Sequence, residues 1–324
     1  MKIVIISTVR NEEDIVEAFV RYHLQFADHM MIINHRSIDA SAEILNRLKE
    51  EGLSLEIFEE TSLDLQQGVF LTKLMKKAVR EHDADWVIPL DADEFLAPAE
   101  DGDIVSILAS LPDDRVVKVP WRTYVPLSTD DDREIDAFKR IRSCKKSESI
   151  DLRKIMISRM LASHANGFID NGNHGFMRKL LWKKKQYPYV NTNQLVLAHY
   201  PIRSAHQIMI KAFIGWLACC AKPNKLPTEN YHLKMLYDRF SKGSTLSWED
   251  LTRLSMGYAT KEGMAIPKET DIIYKPIAGA AENVMLRYSD KKETIDPLAL
   301  LATLAEEFAE ALAVNRSSSL KKKY

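Results

Sequence analysis

Through its first hundred residues this chain alternates short apolar runs with segments of helical periodicity, and that alternation confines it to folds in which helices cover a largely parallel sheet. KIVII (2–6), HMMIIN (29–34), LEIFEE (55–60) and DWVIPLD (85–91) are runs of strand length. The first is dominated by apolar residues, as a strand covered on both faces should be. Between them, residues 12–26 place Ile15, Val16, Phe19, Val20 and Leu24 at helical spacing. Residues 41–50 read as a short helix that Ser41 or Asp39 caps and Gly52 ends, and residues 69–81 as another. Residues 1 to about 100 are expected to be doubly wound α/β.

The pattern changes after residue 113. VVKVPWRTYV, KIMISRM, HGFMRKLLW and QLVLAHY read as further strands between charged or Gly/Asn-rich loops. Beyond Pro201 the spacing turns helical, over 204–220, 231–240 and 248–258. KPNKLPTEN (222–230), with two prolines, is the clearest loop. Residues 297–314 are Ala/Leu-rich and helical, and the terminal SSSLKKKY is expected to fray. The expected organisation is a sheet-bearing domain over 1–216 and a helical region over 217–324 packed on it.

The 324 residues suffice for a sizeable core, and 46% hydrophobic content excludes disorder. Lys+Arg 45 against Asp+Glu 46 leaves a formal net charge of -1, without the basic field of a general nucleic-acid binder, so no nucleic-acid partner is expected. Cys144, Cys219 and Cys220 neither build a disulfide framework nor supply a CxxC pair for zinc. The first apolar run is shorter than a signal peptide needs, and nowhere do about 18 uncharged apolar residues follow one another. A cytoplasmic protein is expected.

The most informative stretch is DWVIPLDADEF (85–95), a buried strand that delivers Asp91, Asp93 and Glu94 at its carboxyl end. In open α/β sheets that end is where ligands bind. Carboxylates two apart in an extended segment project to one side, and carboxylates that converge need a cation. Oxygen ligands of this kind suit Mg²⁺ or Mn²⁺.

Three blocks, TVRNEEDIVEAFVRYH (8–23), LDADEFL (90–96) and LAHYPIRSAHQIMIKAFIGW (197–216), together resemble the glycosyltransferase family 2-like proteins of the glycosyltransferase-A fold, in the subgroup marked by an N-terminal Arg-Asn-Glu and a central Asp-x-Asp-Glu-Phe. The resemblance implies a glycosyltransferase-A-like mixed sheet flanked by helices with a helical C-terminal extension. It also implies a nucleotide-sugar donor and a divalent metal, Mn²⁺ or Mg²⁺, between the donor diphosphate and the Asp-x-Asp. By this likeness Asp93 is the direct metal ligand, and Asp91 meets the ribose or the waters of the metal. Thr8, Arg10, Asn11 and Glu12 fall where the fold places the base and ribose. NHRSIDAS (34–41) matches the family at Ser37 and Asp39, which makes Asp39 a base or ribose contact or else a helix cap. Asn34 and His35 replace the usual acidic pair, so the identity of the base does not carry over.

Sugar transfer through an oxocarbenium-like transition state requires positive charge on the leaving diphosphate and a base for the acceptor hydroxyl. Arg203 and Lys211 are the candidates for that charge, with the stem of Lys211 covering its helix as the alternative. His199 reads as a third metal ligand or as a loop hydrogen-bonder. The Gly/Asn-rich SHANGFIDNGNHGF (163–176) offers Asp170 or His174 as the base. The resemblance implies inversion, and a glycan or lipid-linked acceptor of surface polysaccharide type. The rival readings are a catalytically silent relative that binds glycan or scaffolds, and an Asp-x-Asp phosphoryl-transfer enzyme.

Other features are expected to be structural. The basic runs KRIRSCKK (139–146) and 183–185 read as solvated surface, and Cys219 and Cys220 as small buried hydrophobes. Trp121, Tyr124 and Trp182 could stack on a sugar or simply pack. Leu298, Leu301, Leu304, Ala305, Phe308 and Leu312 form an apolar face expected to pack on the body or on a homodimer partner, in preference to a peripheral membrane contact.

Overall fold

A computed structural model describes residues 1–62, 66–180, 183–221, 231–260, 265, 268–277, 283–289 and 300–309. Strands and helices alternate as β1 (Ile3–Val9), α1 (Val16–His23), β2 (His29–His35), α2 (Ser41–Glu50), β3 (Leu55–Glu60), α3 (Gln67–His82) and β4 (Trp86–Pro89). The order β3-β2-β1-β4 is parallel throughout. Successive residues of β1 face opposite ways. Ile3 and Ile5 join a core with residues of α1 and α2, whereas Val4 and Ile6 join a second core with α3. Helices therefore cover both faces, as the doubly wound reading requires.

The chain continues through β5 (Glu94–Pro98), α4 (Ile104–Ser110), β6 (Val116–Thr123), α5 (Ala137–Arg140), β7 (Ser143–Lys145), β8 (Arg153–Ser158), α6 (Arg159–Ala162), β9 (Gly167–Ile169), β10 (Phe176–Leu180), β11 (Lys183–Gln186), β12 (Tyr189–Asn191) and β13 (Leu195–His199). The main sheet extends from β4 as β8-β6-β13-β5, with β12 beside β6. Here β8 is antiparallel to both neighbours, β13 is parallel to β6, and β5 is antiparallel to β13. This is the mixed sheet flanked by helices expected of a glycosyltransferase-A-like chain.

A helical region follows: α7 (Ala205–Ala221), α8 (Tyr231–Phe240) and α9 (Trp248–Met256), then β14 (Ile272–Tyr274), which pairs with β7. Ile202, Ile208, Leu236, Phe240, Leu251 and Leu254 close a small core among these helices. Residues 300–309 are helical and rest on α7 through Leu300 and Leu304 against Ile210 and Ile214. No described helix is long and apolar enough to cross a membrane.

Several expectations change on contact with the structure. α1 begins at Val16 because the preceding residues turn, with the Glu12 carbonyl accepting from the Ile15 and Val16 amides at 3.0 and 2.8 Å. The basic run at 139–146 is only in part solvated surface: Arg142 and Lys146 are exposed, but the others are wired into the fold. Lys145 is buried against Glu148, Arg140 donates to the Arg203 carbonyl, and residues 143–145 form β7. Lys183, Lys184 and Lys185 are exposed. Cys219 is buried but Cys220 is exposed, since neighbours on a helix point apart. On the terminal helix Leu300, Leu304 and Glu307 face inward, while Leu301 and Ala305 face out. The 222–230 loop, Trp182, Leu298, Leu312 and the SSSLKKKY tail lie outside the described residues.

Candidate active site

The parallel half of the sheet ends in two loops, one after β1 and one after β2, and these are stitched together. Asn11 adopts φ 55, a left-handed conformation that asparagine tolerates, and its side-chain oxygen accepts from the Ile38 amide at 2.8 Å. The Asn11 amide donates to Ser37 Oγ at 3.1 Å, and the Glu12 amide to Ser41 Oγ at 2.8 Å. Asp39 accepts from the Glu13 and Ser41 amides at 3.0 and 2.9 Å, and burial pushes its carboxyl up to about 6. Asp39 is not the N-cap residue of α2, which is Ala40, but its carboxylate does satisfy the first amide of that helix, at Ser41, while tying the two loops together. Arg10 is likewise engaged: it pairs with the buried Glu307 of the terminal helix, which also lies 3.5 Å from Arg36. Thr8 Oγ1 accepts from Gln67 at 3.4 Å.

At the end of β4 the chain makes a tight turn, with the Glu94 amide donating to the Asp91 carbonyl at 3.0 Å. The two aspartates are therefore not on one side of an extended strand, and their carboxylates part company. Asp91, about a third exposed, accepts from Lys154 at 2.6 Å, Gln67 at 2.8 Å and Asn173 at 3.3 Å. Asp93, nearly buried, faces Lys211 at 3.0 Å, His199 Nε2 at 3.7 Å and Arg203 at 3.8 Å. The charges of Lys211 and Arg203 outweigh desolvation and hold Asp93 well below the usual carboxylate range. Glu94 opens β5 fully buried, accepting from Trp121 Nε1 at 2.8 Å, the Asp91 amide at 3.0 Å and Lys154 at 3.2 Å. Burial pushes its carboxyl up to about 8 against the pull of Lys154.

His199 closes β13, opposite Glu94 in the register, with its ring stacked on Trp121 at 4.3 Å. Burial drives its pKa down to about 3 despite Asp93, so the imidazole is neutral. Its Nδ1 is buried without a hydrogen-bond partner, which a buried polar atom seldom tolerates. Lys211 on α7 reaches Asp93 rather than merely covering its helix. Arg203 is 0% exposed and anchored by a fork to Asp14 at 2.7 and 2.9 Å, by Glu12, and by the Tyr200 carbonyl at 3.0 Å. Its charge is spent inside the protein, so it is a brace behind Asp93 and not an open cation for a diphosphate.

His174 follows a short 3-10 turn containing Gly172 at φ 76. Its Nδ1 donates to the Arg153 carbonyl at 2.9 Å, since a carbonyl can only accept, and this leaves Nε2 with the lone pair. Burial and Lys154 lower its pKa. Its ring lies 5.8 Å from that of Trp121. Asp170, half-buried at the end of β9, bonds through its backbone to Gly175 and Asn173. Among the described contacts none links the Asp170 carboxylate to the Asp91–Asp93–Trp121 group.

The fold thus brings the expected Asp91, Asp93, Trp121, His174, His199 and Lys211 to one place and adds Lys154, Gln67 and Asn173. Lys154 had a readable signal, a lone cation on the β8 face that also carries the buried Met156. Gln67 had none, while Asn173 lies in the Gly/Asn-rich segment already singled out.

No protein-family model matches the sequence, and no curated protein matches it. Solved structures give loose matches. A mannosyltransferase from Pyrobaculum calidifontis, in complex with GDP-Man and Mn²⁺, matches at 14% identity over 100% of this chain and 81% of its own, with a TM-score of 0.38. Glucosyl-3-phosphoglycerate synthase from Mycobacterium tuberculosis, in complex with Mn²⁺, UDP and glucosyl-3-phosphoglycerate, matches at 18% over 37% of this chain with a TM-score of 0.27, and the match spans 44% of its length. HddC from Yersinia pseudotuberculosis matches at 14% over 62% of this chain and 95% of its own, at 0.33. Likeness this loose leaves the chemistry of this chain to its own residues.

Proposed function

We propose that this protein is a metal-dependent glycosyltransferase of the family 2-like, Arg-Asn-Glu / Asp-x-Asp-Glu-Phe subgroup, moving a sugar from a nucleotide-sugar donor to a glycan or lipid-linked acceptor with inversion. The observation that carries the reading is the buried Asp93 at the carboxyl end of β4, beside a histidine that burial keeps neutral. That pair fits a divalent cation. The carboxylate is a suitable donor for Mn²⁺ or Mg²⁺, the imidazole beside it favours the softer Mn²⁺ of the two, and the other nitrogen of His199 has no partner to lose. Asp93 and His199 would hold the ion, while Asp91, turned toward Lys154, would meet the ribose. When bound, the metal supplies Lewis-acid charge to the departing diphosphate.

The residues of the chain divide the remaining work. Lys211, the cation on Asp93 with a third of its side chain exposed, adds positive charge on the leaving-group side. His174 Nε2 takes the acceptor proton, its ring oriented by the Arg153 carbonyl. Trp121 offers a ring between His199 and His174. Beyond Lys211 and Tyr258 a cavity of about 170 Å³ opens among Ile202, Ile208, Leu236 and Leu254. An apolar cavity bordering Asp93's own lysine favours a lipid-linked acceptor, in surface polysaccharide or lipopolysaccharide assembly at the inner face of the membrane.

The test is a thermal-shift screen of UDP, GDP, CMP and dTDP and their sugars, with and without Mn²⁺ or Mg²⁺. A ligand that binds only the native state raises its melting temperature. Metal-dependent stabilisation by one nucleotide, lost in Asp93→Asn, is the expected result. Folded protein that responds to no nucleotide would overturn the proposal.

A further inference from the structure

Three ligand-type side chains meet at the end of the sheet opposite Asp93. His29 opens β2, Glu56 is the second residue of β3, and His82 is the last residue of α3. The pairing that brings them together is dictated by register. Met31 lies beside Glu56, and residues two apart on a strand share a face, so His29 and Glu56 are on one side of the sheet. That is the face α3 covers, and the helix ends there.

His82 Nε2 lies 2.6 Å and His29 Nε2 3.4 Å from the same oxygen, Glu56 Oε1, and the two rings stack at 4.1 Å. Among the described residues this is the one group of three such ligands whose donor atoms all fall within 4.8 Å of one another. His29 Nδ1 is hydrogen-bonded to Ser54 Oγ at 2.8 Å, a partner behind the ligand of the kind that orients metal-binding histidines. His29 Nε2 itself is buried with no hydrogen-bond partner. Ligands about 2.0–2.1 Å from a tetrahedral ion stand about 3.3 Å apart, close to the separation His29 and Glu56 already have.

We propose that His29, Glu56 and His82 bind one divalent transition-metal ion of the Zn²⁺ class, with water completing the shell. The ion pins the end of α3 to the β2–β3 edge. This site is distinct from the Asp93–His199 pair, and its nitrogen-rich donor set suits a softer metal than Mg²⁺. It stands independently of the reaction proposed above.

The test uses untagged, full-length Asp93→Asn protein, so that only the second site can report. After chelation and dialysis it is titrated with Co²⁺ and then with competing Zn²⁺. The expected result is a saturable visible absorption band at one equivalent, of tetrahedral intensity, displaced by Zn²⁺. His29→Ala and His82→Ala, each shown by circular dichroism to be folded, should weaken Zn²⁺ binding on the order of 100-fold, with Glu56→Gln doing the same in a variant that keeps both rings. No stoichiometric band, or a band of unchanged affinity in both histidine variants, would overturn the proposal.

Discussion

Replacing Arg203 by methionine separates a structural brace from a catalytic cation. The guanidinium is wholly buried and satisfies Asp14 by a fork, Glu12, and the Tyr200 carbonyl, with Asp93 3.8 Å away. Methionine fills much of the volume but leaves these carboxylates without their counter-charge. Breaking a buried pair by removing one partner costs about 3–5 kcal/mol. Asp14 is about a third exposed, so water recovers part of the loss and the lower end of that range applies. Against a total stability of about 5–15 kcal/mol, a loss of about 3 kcal/mol is large. At about 2–4 °C per kcal/mol it lowers the melting temperature on the order of 10 °C. The loss also depends on pH. Glu12 is raised from its ordinary 4.5 to about 7 by burial, with Arg203 pulling the other way. A carboxyl raised in the folded state contributes stability that disappears as pH rises through its folded pKa, and without Arg203 that pKa climbs further. The variant must therefore fall further behind wild type as pH rises above about 7. Urea unfolding of both proteins at pH 6 and pH 8.5 measures this. A difference below about 1 kcal/mol at both values, with transfer activity abolished, would refute the brace and restore Arg203 as a leaving-group cation.

The base is decided by a pair of variants. His174→Ala should lower kcat by about 10²–10⁴ with donor binding kept, while Asp170→Ala leaves kcat within a few-fold, as steady-state kinetics with metal-saturated enzyme will show. The reverse pattern would move the base to Asp170. Gly172→Ala tests how His174 is placed. A Cβ there would lie 2.9 Å from His174 Cδ2 at a φ of 76 that alanine resists, so stability should fall by about 1 kcal/mol and kcat should drop with KM little changed. Unaltered kcat in a destabilised variant would detach His174 from the reaction.

Most of the sheet was legible because its signal is local. The apolar runs at 29–34 and 55–60 correspond to β2 and β3 almost residue for residue, since strand periodicity is carried by neighbours in sequence. The site was legible only in its anchor. Asp93 could be placed at a strand end, but the divergence of Asp91 depends on a turn between β4 and β5, and β5 was invisible inside what read as one segment. Arg203 sat in a polar loop block and looked like a cation on offer. Its partners Glu12 and Asp14 lie 191 and 189 residues away, and only the fold delivers them. Lys154 was the exception that charge reasoning could have reached. A lysine on a strand face that otherwise buries Met156 must find an anion, because an unpaired buried ammonium is too costly to persist. The acidic turn at 91–94, itself in need of a cation, was the obvious complement. The fold brings Lys154 to 2.6 Å from Asp91 and 3.2 Å from Glu94, so the cation demanded by the acidic turn is in part supplied by the chain itself.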